Sequence, residues 1–97
     1  MADYILSERA KKDIRSIADY TEEMWSAEQA ESYVRMLFAE CRALAQKPMV
    51  GRSYDDCRPG LRGYPCGRHV IFYRILPSNK VRIVRVLHEV MDFPRHL

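Results

Sequence analysis

Two apolar stretches near the C-terminal end, His69-Val-Ile-Phe-Tyr-Arg-Ile-Leu76 and Val81-Arg-Ile-Val-Arg-Val-Leu-His88, set the tightest limit on the fold. Both are rich in β-branched and aromatic residues, and Pro77-Ser-Asn-Lys80 separates them as a turn. Each reads as a strand with apolar residues on both alternating faces. On the second, strict alternation puts Val84 and Val86 on one face and Ile83, Arg85 and Leu87 on the other. Apolarity on both sides marks central strands, covered on one face and at least partly shielded on the other. Arg74, Arg82 and Arg85 nevertheless lie within them. An unpaired buried guanidinium is costly, so Arg74 and Arg85 each need a partner. Asp13 and Glu40 are within reach from the helical half, and the open face is the other option.

The rest of the chain supplies the cover. Asp3–Leu6 is a short strand-like opening that can join a sheet edge. Ser7 follows as an N-cap residue. Ala10, Ile14, Ile17, Ala18, Thr21, Met24 and Trp25 then recur at spacings of three and four, one face of a helix of about five turns. Ser26 caps a second helix with a stripe of Val34, Leu37, Phe38, Cys41, Leu44 and Ala45. This helix ends near Lys47, because Pro48 disfavours helical geometry before it. Tyr33 and Met36 lie beside the stripe, either as core edge or as a second apolar face. Residues 48–59 read as a loop rich in turn formers, and 61–65 as a further short strand. The tail after His88 is broken at Pro94, with room for one helical turn.

The expected architecture is a single α+β domain over residues 1–97. It has two layers: an N-terminal strand and an antiparallel helical hairpin packed on a small antiparallel sheet. The sheet's second face is left toward solvent or a partner.

The chain of 97 residues carries a net charge of +3, unevenly spread. Residues 1–50 hold seven basic and nine acidic side chains; residues 51–97 hold nine basic, eight of them arginine, and four acidic. An arginine-rich sheet half suits nucleic acid, an acidic protein, or an ordinary solvated surface. No apolar run approaches the ~20 residues of a membrane span. Charged residues begin at Asp3, unlike a signal peptide. A cytoplasmic location and no membrane role are expected. Cys41, Cys57 and Cys66 are odd in number, lack a Cys-x-x-Cys pair and do not cluster with His69, His88 or His96. They read as free thiols, with no metal.

Gly-rich phosphate loops, Gly-x-Ser-x-Gly and His-Glu-x-x-His are absent from the sequence, so no cofactor is expected. A ribonuclease needs less: cations for the phosphorane charge, and groups that move protons. Arg62, Arg68, Arg74 and Arg85 are candidate cations, and His69, His88, Glu89 and Tyr73 candidate proton carriers. Structural roles for the same residues stand beside that reading.

The order and spacing of several short signatures carry a family likeness. They are Leu6-Ser7-x-x-Ala10-x-x-Asp13-Ile14-x-x-Ile17-x-x-Tyr20-Thr21, Gln29-Ala30-x-x-Tyr33 and Leu44-Ala45-x-x-Pro48-x-x-Gly51-Arg52. Arg58-Pro59-Gly60-Leu61-Arg62, His69-x-Ile71-Phe72-Tyr73-Arg74 and Ile83-x-Arg85-Val86-Leu87-His88-x-x-Met91-Asp92 complete the set. Over nearly its whole length the chain resembles the ParE branch of the RelE/ParE superfamily, toxins of type II toxin–antitoxin systems. The resemblance implies a helical hairpin on a small antiparallel sheet, neutralisation by a ParD-like antitoxin, and operator DNA reached only through that antitoxin.

ParE-like toxins are associated with inhibition of DNA gyrase and arrest of replication. RelE-like relatives cut mRNA in the ribosome. The acidic Glu89-Val-Met-Asp92 tail, without tyrosine, would repel RNA and favours a gyrase binder without catalysis. The alternative is a ribosome-dependent endonuclease using Arg62, Arg74, Arg85 and His88. The expected target surface is Arg85, His88, Met91 and Asp92. The expected antitoxin surface is Tyr33, Met36, Arg58 and Arg62.

Overall fold

The computed structural model describes residues 4–97. β1 (Tyr4–Leu6) leads into α1 (Glu8–Met24) and α2 (Ala27–Gln46). A single 3-10 turn at Pro48–Val50 precedes β2 (Arg52–Ser53), β3 (Arg62–Cys66), β4 (His69–Ile75), β5 (Val81–His88) and the short α3 (Phe93–His96).

Both helices start where their caps predict. Ser7 Oγ accepts from Ala10 N–H at 3.0 Å and Ser26 Oγ from Gln29 N–H at 3.0 Å. Lys47, held before Pro48, has φ −133° and ψ 71°, outside the helical region, and α2 stops at Gln46.

The sheet runs β1-β5-β4-β3-β2. The expected β3-β4-β5 meander is antiparallel, and β1 closes the edge beside β5. The sheet is mixed, because β1 runs parallel to β5, with Tyr4 opposite Val81 and Leu6 opposite Ile83. The supposed loop 48–59 also contributes. Arg52 and Ser53 pair with Gly63 and Arg62, adding β2 at the far edge, so short a strand that its turn-forming surroundings hid it.

One core lies between helices and sheet: Leu37, Cys41 and Leu44 of α2 and Ala10 and Ile14 of α1 meet Ile71, Tyr73, Val81, Ile83 and Val86. Tyr73, fully buried, is structural. Its hydroxyl donates to Pro48 O at 2.6 Å and accepts from Gly51 N–H at 2.9 Å. A Cβ on Gly51 would fall 2.1 Å from that oxygen, so only glycine fits there.

The second face of the sheet is not left open. Leu61, Val70, Phe72 and Leu87 form a second core under Tyr54, Cys57, Phe93 and Leu97. Edge-to-face contacts join Phe93 to Phe72 at 4.9 Å and to Tyr54 at 6.1 Å. The loop after β2 and the C-terminal tail are therefore the shield that the two-sided apolarity of the strands demanded.

A register irregularity alters the face assignment on β5. Phe72 opposes Arg85 and Tyr73 opposes Ile83, which leaves Val84 as an extra residue. The bulge reverses the alternation: Ile83 and Val86 face the helices, while Leu87 lies in the second core with Val84 against it. Strict alternation had put Ile83 with Leu87.

Candidate functional site

Three side chains from three elements meet where α2 crosses the end of the sheet. Tyr33 of α2 and His69 of β4 lie 2.6 Å apart, hydroxyl to Nδ1, and His69 opposes His88 of β5 with ring centroids at 5.2 Å. The Tyr33 hydroxyl also accepts from Arg68 N–H at 3.0 Å and lies 3.5 Å from the Cys66 carbonyl. Burial pushes the His69 pKa down to about 4, and the neighbouring His88 adds to this. His88 Nδ1 accepts from Val90 N–H at 3.2 Å. Desolvation raises the Tyr33 pKa, keeping the phenol protonated. The Nδ1 atoms of both rings are thus taken up inside the chain, and the two rings form a wall.

That wall is the floor of a groove of about 570 Å³. The groove runs between the open end of the helical hairpin and the residues that follow β5. Ile17, Tyr20 and Thr21 of α1, with Trp25 and Gln29, line one side. Gly67, Arg68, Val90 and Met91 line the other. Its rim is apolar and exposed: Trp25 at 70 %, Val90 at 80 % and Tyr20 at 63 %. The expected α1 stripe included Met24 and Trp25 as core, yet both are exposed. Residues 22–29 are all exposed, so the hairpin tip projects past anything that could cover it. An apolar rim of this kind marks an interaction site.

Gly67, at φ +60°, turns the chain between β3 and β4 directly under α2. A Cβ there would come 2.6 Å from the Tyr33 hydroxyl and 2.9 Å from Met36 Cε. Tyr33 is thus both core edge and groove lining. Met36, 37 % exposed, borders the same turn.

The remaining sequence candidates are scattered. Met91 and His88 line the groove; Asp92 is exposed beyond it and precedes α3. Arg85 is on the second face beside α3. Its Nε and Nη2 donate to Asp13 at 2.7 and 2.9 Å, and its Nη1 to His96 O at 2.7 Å. Of the two carboxylates offered as alternatives, Asp13 is its partner. The Arg85 side chain is only 13 % exposed.

Arg74 donates to Pro59 O at 2.6 Å, so its partner is a carbonyl on the second face and neither of the two carboxylates offered. Arg62 donates to Met49 O at 3.1 Å. Arg58 is exposed on the loop covering the second core. Arg62 opposes Tyr73 and so shares the helix-side face, while Arg74, the next residue along β4, points to the other. His88 opposes His69 five positions away, ~17 Å along the strand. The four residues proposed for RNA cleavage do not converge on one phosphate.

Sequence reasoning missed Tyr20, Trp25 and Val90 as site residues. The sequence held no separate signal for them: Trp25 continues the apolar spacing of α1, and only its 70 % exposure in the fold sets it apart.

The three cysteines are free thiols, Cys41 and Cys66 buried. Among the described residues, no group of three His, Cys, Asp or Glu side chains could hold a metal, and no helix is long and apolar enough to cross a membrane.

Comparison with known proteins places this geometry. The profile of a family described as "ParE toxin of type II toxin-antitoxin system, parDE" matches residues 4–93. Toxin ParE1 of Caulobacter vibrioides is 41 % identical over 97 residues, covering 100 % of this chain and 99 % of that protein. Toxin ParE1 of Mycobacterium tuberculosis is 39 % identical over 94 residues, covering 97 % and 96 %. A solved structure of the chromosomal ParDE toxin–antitoxin system from P. aeruginosa superposes with a TM-score of 0.77. It is 19 % identical and covers 91 % of this chain and 96 % of that one, a likeness of fold.

Proposed function

The chain belongs to the ParE toxins of type II toxin–antitoxin systems, and on that premise we propose that it acts by binding, without catalysis. Its target is DNA gyrase, and a ParD-like antitoxin neutralises it. The observation that carries this reading is the groove. It offers exposed Trp25, Tyr20, Val90 and Met91 around a floor of internally bonded side chains, which suits an apolar protein segment. An amphipathic helix of the antitoxin seats there against Tyr33 and Met91, and Met36 borders it. The solved P. aeruginosa relative is titled as a ParDE system, which supports a partner of the ParD kind. The scatter of Arg62, Arg74, Arg85 and His88 weighs against RNA cleavage.

Purified toxin added to gyrase supercoiling and DNA-cleavage reactions tests the target. Loss of supercoiling with trapped cleavage complexes is expected. Normal supercoiling at high toxin concentration removes gyrase as the target, and codon-dependent mRNA cuts in a ribosome reaction would replace it with RNA cleavage.

A further inference from the structure

On the sheet face away from the helical hairpin, Arg74 of β4 and Arg82 of β5 stand directly opposite each other. Ile5 of β1 stands opposite Arg82 and extends the row. The neighbours Tyr4, Leu6, Tyr73, Val81 and Ile83 all pack in the helix-side core, which fixes Ile5, Arg74 and Arg82 on the other face. Like charges at directly opposed positions of adjacent strands are destabilising. The ion pairs among the described residues are Lys11–Glu8, Arg35–Glu31 and Arg85–Asp13, and none relieves this repulsion. Arg74 has only the Pro59 carbonyl, and Arg82 is exposed, as is Ile5 at 43 %. α3 and the loop after β2 cover Phe72 and Leu87 on this face; the loop reaches Arg74 through Pro59 and leaves Arg82 and Ile5 exposed.

A fold that keeps two opposed arginines without a counter-charge carries a local cost that its own packing does not explain. We propose that the row Ile5, Arg82, Arg74 is a docking surface for an acidic, extended segment of a partner protein. Its carboxylates neutralise the two guanidiniums, and an aliphatic side chain covers Ile5. The dimensions agree: opposed Cα atoms lie ~5 Å apart, and carboxylates at alternate positions of an extended segment lie ~7 Å apart, within the reach of arginine side chains. Nucleic acid fits less well. The aromatic rings of this face, Tyr54, Phe72 and Phe93, stack on one another and offer no platform for bases. Two guanidiniums also fall short of a phosphate-tracking groove. The surface is separate from the groove, so neither depends on the other.

The test is fluorescence anisotropy at low salt with the full chain and three labelled probes. They are a peptide of alternating glutamate and valine, the same peptide with glutamine for glutamate, and a short single-stranded DNA. The glutamate peptide is expected to bind, and Arg82→Gln to weaken it about tenfold or more. In the same variant the melting temperature of the free protein stays level or rises, because a repulsion is removed. The proposal fails on any of four results: glutamine peptide binding equally well, Arg82→Gln leaving affinity unchanged, DNA binding more tightly than the glutamate peptide, or Arg82→Gln lowering the melting temperature. Antitoxin capture through the groove is measured with Trp25→Asp, and so stands or falls apart from this result.

Discussion

Asp13 and Arg85 lock the open edge of β5. Beyond Ile83, β1 has ended, and the edge of β5 would be bare. Ser7 Oγ donates to Val84 O at 2.8 Å, and Asp13 Oδ2 accepts from both Val86 N–H at 2.9 Å and Arg85 Nε at 2.7 Å. Arg85 in turn reaches the carbonyl of His96. One bidentate pair therefore ties α1, β5 and the C-terminal tail, and it sits beside the bulge that turns Arg85 toward that edge. Breaking a buried pair from one side strands the other charge. Asp13→Ala is expected to cost about 3 kcal/mol in urea unfolding, and Asp13→Ala with Arg85→Met to recover part of it. A single-variant cost below about 1 kcal/mol would show that the pair does not brace the edge.

The Tyr73 hydroxyl makes a second demand. Gly51→Ala places a methyl group 2.1 Å from it, and the 3-10 turn and β2 must shift. A loss of about 2–3 kcal/mol is expected, larger than the ~1–2 kcal/mol of Tyr73→Phe, which leaves Pro48 O and Gly51 N–H without their partner. Chemical denaturation of both variants checks the order.

His69 makes stability depend on pH. Its folded pKa of about 4 lies below the ordinary 6.5, so the unfolded chain binds the proton more readily. The contribution is complete above about 6.5 and is lost as pH falls toward 4. Glu89 and Asp13 oppose the depression, and His88 reinforces it. Melting temperature should fall across that window in the parent chain and fall less in His69→Gln. Equal slopes would remove the assignment.

The groove predicts a separation of binding from folding. Trp25 is 70 % exposed, so Trp25→Asp should leave the melting temperature within a few degrees. It should weaken antitoxin capture at least about 30-fold if the ring is an anchor. Met91→Asp should act in the same direction. Titration calorimetry with the antitoxin reads both.

Arg85 and His88 looked alike in the sequence, as polar side chains in apolar strands, and they part company in three dimensions. His88 lines the groove and Arg85 braces the opposite face. The two strands, both helix starts, the stop before Pro48 and the family pattern were legible because each rests on local spacing or chemistry; for Arg85 the sequence left Asp13, Glu40 and the open face as alternatives, and the fold chose Asp13. Ser7, Ser26 and Pro48 act within a few residues of themselves, and alternation in β4 survives intact.

What the tertiary structure alone decided is longer in range. The bulge at Val84 arises from how β4 and β5 twist together, and it moved Leu87 to the second core. The pairing of β2 needed β3 beside it. The groove needed the open end of the hairpin and the residues after β5 brought side by side. Local sequence determined which segments are helix and strand and which residues want burial, because those preferences act over one turn or one pleat. Which apolar residues found no cover, Trp25 above all, depended on where other elements end, and that is a property of the assembled fold.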